Sequence, residues 1–104
     1  MITIKLFISQ PMGGLSDEEV LRNKDYAIRE LLMNHDYYHL PDHFEVIDSW
    51  LGHCNKGPIW CLGESIKLMQ EADRVVFLPG WRNARGCRIE HQVCLDYGIE
   101  IMEI

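Results

Sequence analysis

No apolar run in this chain approaches the ~20 residues that carry a helix across a bilayer, so a membrane-spanning helix is not expected. The opening MITIKLFIS holds one lysine and a short apolar run but no small-residue cleavage site. That speaks against a signal peptide and for a first strand. Positive charge is also scarce. Ten Lys and Arg stand against sixteen Asp and Glu, a net charge of −6, whereas phosphate backbones reward basic surfaces. A binder of nucleic acid polymers is therefore not expected. The four cysteines, Cys54, Cys61, Cys87 and Cys94, include no C-x-x-C pair. Cys87 and Cys94 fall two turns apart on one helix face, with Cα atoms roughly 10 Å apart by helical rise, too far for a disulfide. All four read as small apolar residues in a reducing cytoplasm. Internal repeats and low-complexity segments are missing, and no cofactor is expected.

What is present is one compact domain spanning 1–104, with 47 % apolar and 25 % charged residues, enough for a core and a wet surface. Ile2 to Ser9 reads as a β-branched, largely apolar strand of the kind buried on both sides. The turn-rich QPMGGL follows. Ser16 with Glu19 forms a capping box, and Asp17 and Glu18 add negative charge to the first helical turn. Val20, Leu21, Ala27, Ile28, Leu31 and Leu32 then share a helix face. The polar NHDYYHLPDH leads to a second strand, about Phe44 to Ile47, ending at Asp48-Ser49-Trp50. A loop with Gly52, Asn55, Gly57 and Pro58 precedes a helix from about Ile59 to Glu71, with Leu62, Ile66 and Met69 inward. Arg74 to Leu78 is a third strand, which Asp73 caps or begins. A helix from Arg85 to Tyr97 ends at Gly98, and Ile99 to Ile104 is a last strand. This alternation predicts an α/β domain, a parallel sheet of about four strands with helices on both faces and right-handed crossovers.

The last helix carries an anomaly. At about 100° per residue, Cys87, Val93, Cys94 and Tyr97 share its apolar face, and Glu90 stands in the middle of that stripe. Arg88, Gln92 and Asp96 take the wet side. Burying an unpaired carboxylate costs several kcal/mol, so the position needs a reason. In a parallel α/β sheet, ligands bind outside the carboxyl ends of the strands, near the point where strand order reverses. Three loops must meet on that rim: Ser9 to Gly14, Asp48 to Trp50, and Pro79 to Gly86. Glu90, one turn into a helix that starts there, points at the same crevice. Arg82, Arg85 and Arg88, half of the six arginines, crowd beside it and suit a small anion.

FISQPMGG, the L-G-E-S at 62 to 65, and ADRVVFLPGW with ARGCRIEHQVCLDYGI together resemble a family of small phage and bacterial proteins in the nucleoside 2-deoxyribosyltransferase-like superfamily. The resemblance covers nearly the whole chain. It implies a flavodoxin-like sheet and cleavage or exchange of the N-glycosidic bond of (deoxy)nucleosides or nucleotides. It also implies a glutamate nucleophile after a glycine-containing loop, which Glu90 matches after Ala84-Arg85-Gly86. A carboxylate beneath C1′ stabilises the positive charge that develops there, or forms a glycosyl ester. The helix start and Gly86 offer N–H groups to a phosphate, to which Arg82, Arg85 or Arg88 add charge-assisted bonds. Three departures stand out, one being the absence from the first loop of a tyrosine that several relatives carry. Ser65, beside Glu64, occupies the position of a family aspartate, and Ala84 that of a phosphate-loop serine. Relatives complete their crevice with a neighbouring subunit, which implies a homo-oligomer.

The expected site therefore has Glu90 and Asp48 as catalytic carboxylates. Ser9, Gln10, Met12, Gly13, Trp81, Arg82, Arg85, Gly86 and Arg88 hold the ligand, Gln10 reading a base edge or sugar hydroxyl and Trp81 stacking a base. Trp50 and Trp60 are weaker stacking candidates. Each residue has a plainer reading: Glu90 as a cap or an arginine partner, Asp48 as a turn cap, the tryptophans as packing. His35, His39 and His43, with Asp36 and Asp42, have metal-ligand chemistry, but Pro41 interrupts any helix that would align them, so no metal site is expected. The alternative to an enzyme is an inactive nucleotide-binding or phage regulatory module that kept the pocket.

Overall fold

The computed structural model describes residues 3–49 and 56–104. Ile2, Trp50, Gly52, Cys54 and Asn55, which figured in the expectations above, lie outside the described residues. The elements run β1 (Lys5–Ser9), α1 (Asp17–Met33), β2 (Glu45–Val46), α2 (Pro58–Met69), β3 (Arg74–Phe77), a 3₁₀ turn (Trp81–Asn83), α3 (Arg85–Tyr97) and β4 (Glu100–Glu103). The strands form one parallel sheet in the order β2-β1-β3-β4, which is the flavodoxin-like arrangement expected. The strand order reverses between β1 and β3, and that switch point is where a ligand crevice belongs.

Strand alternation builds a core on each side of the sheet. Leu6 and Ile8 of β1, with Val76 and Leu78 at β3, pack against Ala27 and Leu31 of α1. The intervening Phe7, Val75 and Phe77 pack on the opposite face against Met69 of α2 and Cys87 and Cys94 of α3. Both sides of the central strands are thus covered, and that is why they read as continuous apolar runs. Asp73 stands just ahead of β3, where its carboxylate accepts from the Lys5 backbone N–H and its own N–H donates to the Lys5 carbonyl, both at 2.8 Å.

Local signals fix the helix ends. Ser16 Oγ accepts from the Glu19 N–H at 3.2 Å and Glu19 Oε1 from the Ser16 N–H at 3.1 Å, closing the capping box, a device worth about 1 kcal/mol. Gly98 takes φ 71° at the end of α3, a left-handed conformation that glycine adopts without a Cβ penalty. Gly80, at φ 88°, likewise lets the chain turn from β3 into the 3₁₀ turn. The apolar faces are narrower than the periodicity implied. Leu21 and Leu32 on α1 and Tyr97 on α3 are exposed, Tyr97 lying on the last turn where the chain leaves through Gly98.

The cysteines divide. Cys87 and Cys94 are buried free thiols, whose pKa burial pushes up. Cys61 is disulfide-bonded, which overturns its reading as a reduced thiol.

Candidate functional site

The site starts from β1. Alternation that sends Phe7 into the α2/α3 face sends Ser9 the same way, and Ser9 Oγ donates to Glu90 Oε1 at 2.7 Å. Glu90 lies one turn into α3 and is only 7 % exposed. Burial raises its pKa from the ordinary 4.5 to about 7, with the Ser9 hydrogen bond pulling the other way. No basic side chain contributes to that balance. The plain reading of Glu90 as an arginine partner therefore finds no arginine.

Glu90 forms part of the wall of a crevice of about 440 Å³ at the carboxyl edge of the sheet, within the range of small-molecule sites. Gln10, Met12 and Gly13 of the first loop close one side, Cys61, Leu62 and Ser65 of α2 another, and Asn83 to Cys87 the third. The start of α3 faces this space without a side-chain cap, because its N-cap is Ala84. The first intrahelical bond runs from Arg88 N–H to Ala84 O at 3.0 Å. The N–H groups of Arg85, Gly86 and Cys87 precede it, and such free donors with the helix dipole behind them suit an anion. Among the described residues, a Cβ at Gly86 would meet nothing closer than Leu62 Cδ1 at 3.9 Å. Folding would thus tolerate a side chain there, and its absence leaves room in the crevice.

Of the residues singled out from sequence, Gln10, Met12, Gly13, Arg85, Gly86 and Glu90 line the crevice, and Ser9 reaches it through Glu90. Asp48, Trp81, Arg82 and Arg88 do not line it. The Asp48 side chain is 89 % exposed and lies 3.9 Å from Lys24 Nζ of α1. The reason is register: Val46 packs toward α1 and Ile47 toward α3, so residue 48 turns back to α1. Ser49 then faces the crevice and is buried there. Ser49 was not among the expected site residues, although strand alternation alone places it on this side.

Trp81 is a core residue. Its indole N–H donates to Glu103 Oε1 at 2.7 Å, and His91 stacks on its ring at 4.2 Å. No ring face is left at the crevice for a base. Arg82 pairs with Glu103 at 3.6 Å and lies over the same indole, while Arg88 Nη1 donates to the Arg82 carbonyl at 3.1 Å. Arg85 is the one arginine of the three at the crevice. No group of three His, Cys, Asp or Glu able to hold a metal occurs among the described residues.

Gln10 adds a feature that sequence could not signal. It is 7 % exposed, and its Oε1 is sealed from solvent without a hydrogen-bond partner. An orphaned buried acceptor costs about 1–3 kcal/mol.

A family model described as a domain of unknown function (DUF4406) matches residues 60–103. That span runs from the first turn of α2 through β4 and includes Ser65, Arg85 and Glu90. No curated protein and no solved structure matches the chain.

Proposed function

We propose that this chain binds a nucleoside 5′-monophosphate, or a deoxy equivalent, in the α2/α3 crevice and cleaves its N-glycosidic bond, with Glu90 as nucleophile. The observation that carries the reading is Glu90 itself: a buried carboxylate without a basic partner, held by Ser9 at 2.7 Å on the wall of a 440 Å³ crevice beside an uncapped helix start. A carboxylate kept at that cost is what a reaction developing positive charge at C1′ requires. Glu90 attacks C1′, and the C1′–N bond breaks with its electron pair leaving on the base nitrogen, which takes a proton from water. Water then hydrolyses the glycosyl ester and restores the carboxylate. Hydrolysis yields free base and sugar phosphate, and a second base in place of water yields exchange.

The phosphate seat is smaller than three arginines suggested. It consists of the α3 start with Arg85, since Arg82 and Arg88 are engaged elsewhere. One charge-assisted contact is worth about 1.5–3 kcal/mol, so a 5′-monophosphate should bind at least about tenfold tighter than its nucleoside. Arg85→Ala should erase most of that difference, and Arg82→Ala should leave it. Calorimetric titration of a nucleotide panel, run beside an assay for free base, checks both binding and cleavage. Equal affinity for nucleoside and monophosphate would remove the phosphate from the reading.

A second reading has its own observation. Ser65 lines the crevice at the position where the resemblance implies an aspartate, Asp48 faces away, and among the described residues Glu90 is the one acidic residue on the lining. A pocket without a second carboxylate suits a nucleotide-binding module that has lost the chemistry.

The protein is proposed to act as a twofold homodimer through α2. That helix is rich in apolar residues, yet Met69 is its one fully buried member, and Ile59 and Trp60 are exposed. Light scattering at tens of micromolar should give twice the chain mass; a monomer there counts against the interface. No helix among the described residues is long and apolar enough to cross a membrane. The two free buried thiols support a reducing cytoplasm, and the Cys61 disulfide weighs the other way.

A further inference from the structure

A second cavity, of about 270 Å³, opens on the other face of the sheet, between α1 and the ends of β1, β3 and β4. Gln10 lines both cavities. Pro11, Leu15, Ala27, Leu78 and Ile104 supply its apolar walls, with Asn23 and Tyr26 of α1 completing the lining. We propose that this α1-face cavity is a separate binding site for a neutral planar heterocycle bearing N–H donors, a free nucleobase being the member of that class that the neighbouring crevice would release. The identity of the ligand as a leaving base rests on the function proposed above; the site itself rests on its own walls.

Four features select that chemistry. The volume lies just under the ~300 Å³ at which drug-sized sites begin, which suits one or two rings. None of the nine lining side chains is ionised, so a phosphate would lose its hydration without compensation. Gln10 Oε1 is a buried acceptor without a partner, and an N–H donor is what would satisfy it. Because that atom is sealed, the ligand reaches it when the amide turns about its terminal torsion, which is broad and two-fold. Finally, Tyr26 is 68 % exposed beside Asn23, which offers an aromatic face and an amide to a ring edge.

The two cavities meet at Gln10 from opposite faces of the sheet. A sugar phosphate held at Arg85 and Gly86 and a base held at Tyr26 would thus occupy the protein together, each touching the same amide from its own side. Retention of the base there favours the reverse reaction over hydrolysis, since the departed base stays within one residue of the reaction crevice and can re-form the bond it left; exchange follows when a different base takes its place.

The test is an amide NMR titration of the full chain with adenine or uracil, alone and with saturating ribose 5-phosphate. The expected result is shifts centred on Asn23, Ala27 and the Gln10 side-chain amide that persist with the sugar phosphate present. Tyr26→Ala, at an exposed position that does not endanger folding, should weaken base binding roughly tenfold, the scale of a base–aromatic stack. It should leave ribose 5-phosphate affinity unchanged. Shifts centred on Arg85 to Glu90, or displacement of base by ribose 5-phosphate, would place the base in the crevice; the second site then falls while the glycosidic reading stands. Absence of shifts with millimolar base also overturns the second site, and if nucleotides and ribose 5-phosphate bind nowhere either, the function proposed above falls with it.

Discussion

At pH 8 the Glu90→Gln variant is expected to melt about 10 °C above the wild-type protein, and at pH 4 the two should melt within a degree or two of each other. The expectation follows from where the carboxyl sits. Its pKa in the fold is about 7 against the ordinary 4.5, chiefly through burial. Between those values the folded protein holds a proton that the unfolded chain has released, so the stability Glu90 allows is full below about 4.5 and is lost as pH rises through 7. At 1.36 kcal/mol per unit, the full loss is roughly 3 kcal/mol. A domain of this size shifts by about 4–8 °C per kcal/mol, and a glutamine whose own amide is partly unpaired recovers only part of that. Scanning calorimetry of both proteins at both pH values isolates the effect, because every other titrating group is common to the pair. A variant that melts below wild type at pH 8 would mean that Glu90 makes a stabilising pair, and the unpaired carboxylate would have to be given up. Stabilisation by removal of a charge is the mark of a residue kept for a purpose other than folding.

The same carboxylate shows how far local pattern reaches. The 3.6-residue period that placed α3, with Gly98 to stop it, also placed Glu90 on the buried face, and both survive in the structure. The parallel sheet follows from the same kind of reasoning, since strands alternating with helices imply right-handed crossovers; its flavodoxin-like order was implied only by the family resemblance. Asp48 fails for a different reason. An aspartate at the end of a strand has the right chemistry, but β2 is only two residues long, and its alternation sends Asp48 to Lys24 and Ser49 to the crevice. Trp81 and Arg82 fail because their partner, Glu103, lies on β4 and no local pattern points to it. Ser9 was legible as a rim residue, but its bond to Glu90 spans 81 positions and emerges only once β1 and α3 are packed. The orphaned oxygen of Gln10 has no signature in sequence at all, because it is defined by what the fold fails to bring near it.

These misses reshape the site in one direction. An expected constellation of two carboxylates, three arginines and a stacking indole contracts to Glu90, Ser9, Arg85 and the amides of one helix start. On the function proposed above, catalysis would come from one carboxylate in a preorganised and poorly hydrated place, aided by binding of the phosphate. Such a site is sensitive to the protonation of a single group, which makes the pH dependence of the reaction its most informative property.

Glu90→Gln is therefore expected to bind a nucleoside monophosphate about as well as wild type, because the amide is nearly isosteric and the phosphate seat is untouched, while releasing free base at least ~10²-fold more slowly. That factor is the lower range for loss of an electrostatic group facing a transition state. Only the ionised carboxylate can attack C1′, so kcat/KM of the wild type should rise with pH and level off above about 7, the pKa of Glu90 in the free protein. Ser9→Ala removes the hydrogen bond that favours the ionised form, so its profile should move to higher pH with a plateau still present. A structural role for Ser9 alone would lower the whole curve without moving it. Release measured by separation of free base, across ribo- and deoxyribonucleotides, decides among the readings. Equal rates for wild type and Glu90→Gln on any substrate the wild type cleaves would end the catalytic assignment. Tight nucleotide binding with no release by the wild type anywhere on the panel would identify the crevice as that of a binding module, with Glu90 recognising the sugar rather than attacking it.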